Sequence, residues 1–555
     1  MIIINTMRFR MKIYTACLHV FLCGLFFNWI IGSLRKKERD PNEGLDIQVE
    51  GLKGRGSNAN GENGRGMTFV GQELQLVEQY METYKVNVVA SDLISLNRSI
   101  PDTRFLSCGS LVYPVSELPT TSVIIPFHNE WRSLLLRTVQ SIITRTPPAL
   151  LQEIILVDDD SSLDILKKPL DQYIADHFPS GKVKVLRMPV RGGLIKGRLR
   201  GWREAKGDVL VFLDSHMEVQ VGWLPPLLNE IRKNNKTVAM SVLDKVDART
   251  LQYNVAGDNV MRYGFQWKLG FYGLYFRPEQ IGEQRHSPRR GVSMVGAAYA
   301  VDKSYFAEIG AYDEGMQIWG GENIEMAWRV WMCGGQLLHV PCSHVGHIER
   351  PQPYTFPGGG RHAVKLVNFK RAVEVWMGPY KRFVYRQFPE METLDAGDLS
   401  SRLALKERLQ CRDFSWYLKH VWPELLVYDE DVRAWGTLKN DQSMTCLDNH
   451  KGLYPGRVFM EQCKDDLNLQ GFSLMRDGRL RTTVLCVTIG TINAKHRPLL
   501  KECYNQHSTW TIHRKTKWLN EEASGLCLDV FNGFPIMSPC VENSTSQQWT
   551  FQHNK

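Results

Sequence analysis

Short apolar runs alternate with amphipathic stretches from about residue 121 onward. The runs have the β-branched and bulky residues of buried strands, and the clearest are Ser122–Pro126, Glu153–Val157, Lys182–Leu186 and Val209–Leu213. After the first run, Leu134, Leu135, Val139 and Ile142 share one face of a predicted helix. This alternation of strand and helix predicts an α/β domain with a mostly parallel sheet and helices on its faces.

Polar residues follow the apolar runs at the places where a sheet of this kind binds its ligands. Asp158–Ser162, Arg191–Leu194 and Asp214–His216 come directly after or close to the ends of three strands. The chain has neither G-x-G-x-x-G nor G-x-x-x-x-G-K-[ST], which disfavours dehydrogenases and P-loop enzymes. Acids that bind a base and ribose, with a metal and an Arg on the diphosphate, fit better. The alternative is that Asp158–Asp160 only cap a loop.

Two further sequence motifs contain candidate ligand-binding residues. Asp214 and His216 are two residues apart at a strand end, so both can reach one divalent cation, and His347 supplies a third ligand. In Trp319–Glu325, a double glycine allows close backbone approach to a ligand and Glu322 begins a predicted helix. A Glu in that position is also common as a partner of the helix dipole.

The N-terminal segment predicts membrane attachment. Residues 13–34 contain no charged side chain and are long enough to span a bilayer as a signal anchor, after a short tail at 1–12. Basic residues flank both ends, so they do not fix the orientation. Ten cysteines follow the anchor, and such usage indicates an oxidising, lumenal compartment. Residues 35–90 are assigned to a stem, whose first part is too polar to fold alone.

The charge and the sequons fit a secreted or lumenal surface. The net charge of +9 is spread along the chain rather than concentrated with aromatics, which argues against nucleic acid as a partner. Three N-glycosylation sequons begin at Asn97, Asn235 and Asn543.

The C-terminal part shows an internal threefold repeat. Cysteines pair naturally in each unit as Cys446 with Cys463, Cys486 with Cys503, and Cys527 with Cys540. Each unit ends in a polar-x-aromatic signal, at Gln470–Phe472, Ser508–Trp510 and Gln547–Trp549. Three units of about forty residues with recurring cysteine and aromatic positions predict a module of short strands around a shared aromatic core.

These strings together resemble the polypeptide N-acetylgalactosaminyltransferases. The resemblance rests on Val123–Glu130, Val157–Ser161, Arg191–Leu194, Asp214–Glu218, Trp319–Glu325, Cys333–Gly335, Val345–His347, Arg371–Met377 and Phe414–Leu418, which occur in the order of the family. It implies a GT-A catalytic domain with a Rossmann-like sheet at 91–430 and a ricin B-type β-trefoil lectin domain at 431–555. It also implies a Golgi type II membrane protein with a lumenal catalytic part.

The resemblance implies a reaction and its residues. The enzyme would transfer GalNAc from UDP-GalNAc to Ser or Thr of acceptor proteins or glycopeptides, with Mn²⁺ and with retention, and so initiate mucin-type O-glycosylation. Asp214, His216 and His347 would hold the metal. The catalytic set would be Asp214, Trp319 and Glu322. The nucleotide-sugar set would be Asp159, Arg191, Gly193, Ser215, Arg350 and Tyr354.

The family resemblance also has implications for the lectin module and for the remaining cysteines. Sugar binding would use the Asp after the first cysteine of a repeat, which Asp448 and Asp529 retain and the second repeat replaces with Val487-Thr488. A trefoil that only packs is the alternative. The family pairs Cys108 with Cys342 and Cys333 with Cys411, although sequence alone allows three pairings.

Three positions depart from the family pattern. Pro126 stands where a Thr is common, Ala297 places a methyl in the sugar pocket, and Glu349 replaces an aromatic in a lid that is one residue shorter. The alternative function is therefore a weakly active or inactive lectin that binds glycoproteins. A processive or inverting GT-A enzyme is disfavoured by the trefoil and by the Glu322 string.

Overall fold

The structure is a computed structural model of the chain. It describes residues 60–254, 260–282, 284–357, 359–450, 454–493, 495–504 and 508–555. The predicted tail and membrane anchor, residues 1–34, lie outside these residues. Within them, no helix is both long and apolar enough to cross a bilayer.

The first domain is built on a ten-stranded sheet, with a separate hairpin beside it. Its strands, in chain order, are β1 Thr121–Phe127, β2 Leu151–Asp158, β3 Val183–Arg187, β4 Val209–Phe212, β5 Met217–Val219, β6 Thr237–Val246, β7 Tyr253–Asn254, β10 Arg289–Arg290, β11 Tyr299–Asp302 and β12 Gln336–Ile348, and the hairpin is β8 Met261–Phe265 with β9 Phe271–Tyr275. The main path runs β10-β12-β6-β11-β4-β1-β2-β3, while β5 pairs with β12 and β7 with β6.

The sheet is mixed, which corrects the prediction that it is mostly parallel. Strands β4, β1, β2 and β3 are parallel neighbours, as the alternating pattern predicts. Strand β11 then enters antiparallel between β4 and β6, and β5, β7 and β10 also pair antiparallel. A β-α-β pattern specifies parallel neighbours only where consecutive strands pair through a crossover, and β11 does not follow that rule.

Helices cover both faces of this sheet. The helices of the domain and its edges are α1 Gly71–Tyr84, α2 Val88–Leu93, α3 Arg132–Arg145, α4 Lys168–His177, α5 Gly193–Glu204, α6 Leu224–Lys233, α7 Pro278–Ile281, α8 Lys303–Glu308, α9 Glu322–Met332, α10 Gly360–Trp376, α11 Lys381–Gln387, α12 Ser400–Arg408 and α13 Phe414–His420. One apolar core lies between the sheet and α3, α4 and α6. A larger core lies under α5, α9 and α10.

Folded structure extends into the segment that the sequence assigns to the stem. Helix α1 buries Val77, Tyr80 and Tyr84 against Trp131 of the catalytic domain, and the Tyr84 and Trp131 rings meet edge to face at 5.0 Å. These contacts fix the helix beside the beginning of α3, because aromatic burial of this kind stabilises tertiary packing.

The second domain is a set of short strands in a nine-stranded and a four-stranded sheet. They are β13 Val432–Asn440, β14 Thr445–Asp448, β15 Gly456–Arg457, β16 Phe459–Gln462, β17 Phe472–Met475, β18 Leu480–Thr482, β19 Leu485–Ile492, β20 Lys495–Glu502, β21 Trp510–Ile512, β22 Leu519–Glu521, β23 Leu526–Phe531, β24 Phe534–Pro539 and β25 Trp549–Asn554, with helix α14 Leu467–Gln470. The predicted shared core is present, because Phe472, Trp510 and Trp549 are all fully buried.

All ten described cysteines form disulfides. The five pairs are Cys108–Cys342, Cys333–Cys411, Cys446–Cys463, Cys486–Cys503 and Cys527–Cys540. The three in the second domain close loops with sequence separations of 17, 17 and 13 residues. All five pairs are those expected from the sequence and from the family resemblance. The asparagines of the three sequons, Asn97, Asn235 and Asn543, are exposed.

Candidate active site

The predicted site residues converge on one cavity of about 260 Å³ at the carboxyl ends of strands β1, β2 and β4. Every predicted site residue of the catalytic domain except Glu322 lines it, namely Asp159, Arg191, Gly193, Asp214, Ser215, His216, Trp319, His347, Arg350 and Tyr354. Pro126 and Ala297 line it too. The sheet therefore gathers segments that are up to about two hundred residues apart, as expected for a ligand site at strand ends.

Asp214, His216 and His347 form a group suited to a metal ion. One ligand atom from each lies within 4.8 Å of the others, and His347 Nε2 is 3.6 Å from Asp214 Oδ2. His347 Nε2 is buried and has no hydrogen-bond partner among the described residues. Burial and the neighbouring His216 lower the pKa of His347 to about 4, so its nitrogens stay neutral at physiological pH. A carboxylate and two imidazoles suit Mn²⁺ or a similar divalent ion.

Glu130 holds the His216 side of this group. Its buried carboxylate accepts hydrogen bonds at Oε2 from Ser215 Oγ at 2.9 Å, His216 Nδ1 at 2.9 Å and Arg350 Nη2 at 2.5 Å. Burial alone would raise the pKa of Glu130, but Arg350 and His216 outweigh burial and hold it at about 2. Arg350 can only donate to Oε2, so this oxygen is the acceptor in the neighbouring contact and Nδ1 of His216 is the donor.

Arg198 supports Asp214 from the opposite side. It is almost completely buried, its Nη2 donates to Asp214 Oδ1 at 3.3 Å and its Nη1 to the Tyr312 hydroxyl at 3.2 Å. The Tyr312 hydroxyl in turn contacts the Tyr299 hydroxyl. Burial would lower the pKa of Arg198, but the tyrosines and Asp214 raise it above its ordinary value. A permanent positive charge thus lies behind the metal group.

Glu322 lies behind the cavity wall, at the first residue of α9. Its Oε2 accepts the backbone N–H of Gly320 at 2.7 Å, which orders the turn that carries Trp319. Burial raises the pKa of Glu322, while Arg198 opposes that shift. Gly321, with φ of 90°, precedes the helix, and a side chain there would strike the ring of Phe369 at 2.9 Å.

Asp159 organises the loop before α5. Its two carboxylate oxygens accept the backbone N–H groups of Gly192 and Gly193 at 2.6 and 2.7 Å. Gly193 has φ of 81° and lies so close to Ile318 that a Cβ would come within 2.2 Å of its Cα. The loop therefore needs glycine there, and it brings the cavity wall at Ile318 against the start of α5.

The stretch after His347 covers one side of the cavity. Arg350 is held by Glu130 and by the Tyr84 carbonyl, to which Nη1 donates at 2.7 Å. Arg191 contacts the same stretch, with Nη1 3.3 Å from Thr355 Oγ1 and its guanidinium 5.4 Å from the centre of the Tyr354 ring. Glu349 points outward, is exposed and lies near Lys245.

The two lectin acids have neutral partners and different neighbours. Asp448 accepts from Gln470 Nε2 at 3.1 Å, and the strand register places it opposite Phe459. Asp529 accepts from Gln547 Nε2 at 3.1 Å and from Ser538, and the register places it opposite Ile536. An aromatic residue therefore lies opposite the acid of the first repeat, and an aliphatic one opposite the acid of the third.

Two residues of the site, Glu130 and Arg198, have no role that the sequence motifs predict. Glu130 follows strand β1 as Asp159 follows β2, so its position at a strand end was the available signal. Arg198 carries no such signal, because an Arg within a helix is usually solvated and only the packing of α5 shows that this one is buried.

Comparisons with known proteins agree with this geometry. Residues 122–291 match the family model described as glycosyl transferase family 2, residues 280–353 the N-terminal domain of galactosyltransferase, and residues 434–549 the ricin-type beta-trefoil lectin domain. The fold and site therefore define a GT-A glycosyltransferase with a C-terminal β-trefoil lectin domain.

Proteins that are similar over nearly the whole chain indicate the particular glycosyltransferase family. The chain is 39% identical to human polypeptide N-acetylgalactosaminyltransferase 13, with 93% of both chains covered. It is 38% identical to polypeptide N-acetylgalactosaminyltransferase 11 of Xenopus tropicalis, over 88% of this chain and 85% of the relative. A crystal structure of GalNAc-T7 with UDP, GalNAc and Mn²⁺ has 32% identity and a TM-score of 0.63, over 89% of this chain and 93% of that one. The chain belongs to the polypeptide N-acetylgalactosaminyltransferase family.

Proposed function

We propose that this protein transfers GalNAc from UDP-GalNAc to Ser or Thr hydroxyls of proteins, with retention at the anomeric carbon and with Mn²⁺. The single observation that carries the proposal is the Asp214, His216 and His347 group in the cavity. The GalNAc-T7 structure with UDP, GalNAc and Mn²⁺ supports the same donor and ion. The ion, when bound, would neutralise the leaving diphosphate.

The protein's own residues supply the remaining functions. Arg191 lines the cavity and adds positive charge for the diphosphate, and Asp159 fixes the loop that carries it. Trp319 lines the cavity and would contact the sugar, and Glu322 holds the Trp319 turn through Gly320. Glu322 is engaged in this contact and does not line the cavity, so we assign it a positioning role and not that of a covalent nucleophile.

A lectin with little or no transferase activity is the second candidate. Pro126 and Ala297 line the cavity, and both depart from the family pattern. Ala297 is buried and adds a methyl to the wall. The intact metal group favours the enzyme, because a lectin that only binds glycoproteins has no need of a metal site whose ligands are held by Glu130 and Arg198.

The proposed activity also suggests a cellular compartment and a membrane topology for the protein. We propose a type II Golgi membrane protein whose anchor is the apolar segment 13–34 and whose lumenal part carries the two folded domains. Five disulfides in the described residues and three exposed sequon asparagines support an oxidising compartment. The sugar-binding site of the lectin domain would be the first repeat, around Asp448.

The test is transfer by the purified full chain. The protein is incubated with UDP-GalNAc, Mn²⁺ and a panel of naked and GalNAc-bearing mucin peptides, and mass spectrometry records added HexNAc. We expect transfer to at least one class of peptide. If GalNAc is transferred to none of the peptides, but the protein still binds GalNAc-bearing peptide, the lectin function would be favoured. Replacing UDP-GalNAc by UDP-GlcNAc in a parallel reaction tests the sugar assignment.

A further inference from the structure

Glu130 is the buried carboxylate that joins two parts of the site. Its Oε2 accepts from His216, from Ser215 beside it in the chain, and from Arg350. These partners belong to the turn after β4 and to the stretch after β12, so one oxygen ties the turn carrying two metal ligands to the stretch that covers the cavity. Glu130 does not act on substrate in the proposed reaction.

The proton on His216 decides which nitrogen is free. Arg350, which can only donate, binds the same Oε2, so this oxygen is the acceptor; Nδ1 of His216 is then the donor, and Nε2 is left with its lone pair. Only an unprotonated imidazole nitrogen binds a metal ion. A carboxylate behind a ligating histidine fixes both its tautomer and its ring orientation and raises its basicity.

Arg350 extends this connection to the N-terminal helix. Its Nη1 donates to the carbonyl of Tyr84, the last residue of α1, while Nη2 binds Glu130. Arg350 and Glu130 are both largely buried, with side chains 6% and 3% exposed. A buried pair of this kind loses much of its stability when one charge is removed. The beginning of the 350–357 stretch is therefore anchored to the metal group through Glu130.

We propose that Glu130 is a positioning residue that presets His216 for the cation and anchors Arg350, so that the metal group and the stretch covering the cavity are held by one carboxylate. This inference rests on the proposed function, because it assigns Mn²⁺ to the Asp214, His216 and His347 group.

The first measurement is Mn²⁺ affinity without nucleotide. Glu130→Gln keeps the shape of the side chain and removes its charge, and we expect the Mn²⁺ dissociation constant, measured by electron paramagnetic resonance, to rise about 10- to 100-fold. Glu130→Asp keeps the charge and should recover part of the loss. The matched control is Asp244→Asn, which alters another buried carboxylate–histidine pair, with Asp244 Oδ2 3.1 Å from His344 Nδ1. We expect that control to lower thermal stability and leave Mn²⁺ affinity unchanged.

The second measurement needs no metal. Nitrogen-15 NMR of histidine-labelled protein reports the tautomer of His216, whose signals are assigned with a His216→Gln variant. We expect the Nδ1-protonated form in the wild type and a mixture of tautomers in Glu130→Gln. Hydrogen exchange of residues 348–357 should be faster in Glu130→Gln than in Asp244→Asn, because only the first variant releases Arg350.

The outcomes separate this inference from the proposed function. Unchanged Mn²⁺ affinity in Glu130→Gln, or an Nε2-protonated His216 in the wild type, would overturn the positioning role even if transfer occurs. Equal losses of Mn²⁺ affinity in Glu130→Gln and Asp244→Asn would also overturn it, since the effect would then be general destabilisation. A wild type with the expected tautomer but no transfer would contradict the proposed function alone.

Discussion

The two domains hold their acidic site residues in opposite ways. In the catalytic domain Glu130 is paired with His216 and Arg350, and Asp214 lies beside His347, so the partners come from distant segments. In the lectin domain Asp448 and Asp529 bind the neutral amides of Gln470 and Gln547 from the same repeat. A site for a cation and a diphosphate needs fixed charge, whereas a site for sugar hydroxyls needs oriented neutral donors and acceptors.

The disulfides show the same contrast between distant and local contacts. Cys108–Cys342 spans 234 residues and Cys333–Cys411 spans 78, whereas the three lectin bridges span 13 to 17. Each lectin repeat is thus closed on itself. The catalytic domain is assembled only when segments far apart in the chain have met.

The largest effect is expected from removing the charge at the metal group. Asp214→Ala should lower transfer about a thousandfold or more, since a cation on a leaving diphosphate contributes several kcal/mol. Binding of GalNAc by the lectin domain should not change. The measurements are transfer to peptides and titration with GalNAc. The control Asp302→Ala removes a carboxylate that only caps α8 through Tyr305. Transfer above a tenth of the wild-type rate in Asp214→Ala would show that the acid is not a required ligand.

A second variant tests buried charge pairing away from the cavity. Glu325 is bound by Arg329, Arg402 and Trp376. Burial would raise its pKa, but the arginines hold it at about 2. Because this folded-state pKa lies below the ordinary 4.5, the carboxylate stabilises the fold above about pH 4.5 and loses that contribution as pH falls toward 2.

Glu325→Gln should therefore lower the free energy of unfolding at pH 7 by about 3–5 kcal/mol. The difference from the wild type should shrink between pH 4.5 and pH 2. Urea unfolding followed by tryptophan fluorescence at pH 7, 4 and 3 measures it. A constant difference across these pH values would contradict the assigned charge.

Substitutions at the two lectin acids should differ in their effect on GalNAc affinity. We expect the first repeat, where Phe459 lies opposite Asp448, to bind the sugar. Asp448→Asn should then weaken GalNAc binding about tenfold, because a lost charged hydrogen bond costs about 1.5–3 kcal/mol. Asp529→Asn should change binding less than twofold. Isothermal titration with GalNAc distinguishes the two variants, and the reverse order would place the sugar at the third repeat.

The smallest effect is expected in the sugar pocket. Ala297→Gly removes one methyl from the cavity wall and should raise kcat/KM for UDP-GalNAc about fivefold, the lower end of the effect of about 1–3 kcal/mol that one such group has. Ala300→Gly, in strand β11 and not in the cavity lining, is the control. Equal or lower kcat/KM in Ala297→Gly would mean that the methyl does not restrict the donor.

The predicted ligand residues did converge, and the reason is local. Asp159, Asp214 and Arg191 follow strands or begin helices, so the alternation of apolar runs and polar ends places them at one edge of a sheet. The lectin core could also be predicted from the sequence, since its buried aromatics Phe472, Trp510 and Trp549 recur with the cysteines. Repeats and strand ends are properties of short segments, and a sequence displays them directly.

The charge pairs around the site could not be predicted in this way. Glu130 meets His216 and Arg350 across 86 and 220 residues, and Arg198 is recognisable as a buried cation only once α5 has packed. The alternation of strands and helices likewise did not predict that β11 lies antiparallel between β4 and β6.

The sequence by itself determined the strands, the repeats and the identity of the metal ligands, because each depends on residues close together or on strings that recur in a family. Only the tertiary structure decided which acids are charged, which histidine nitrogen is free and which arginines are buried. Those properties depend on how strongly burial and distant charges favour one protonation state over another, and they exist only after the chain has folded.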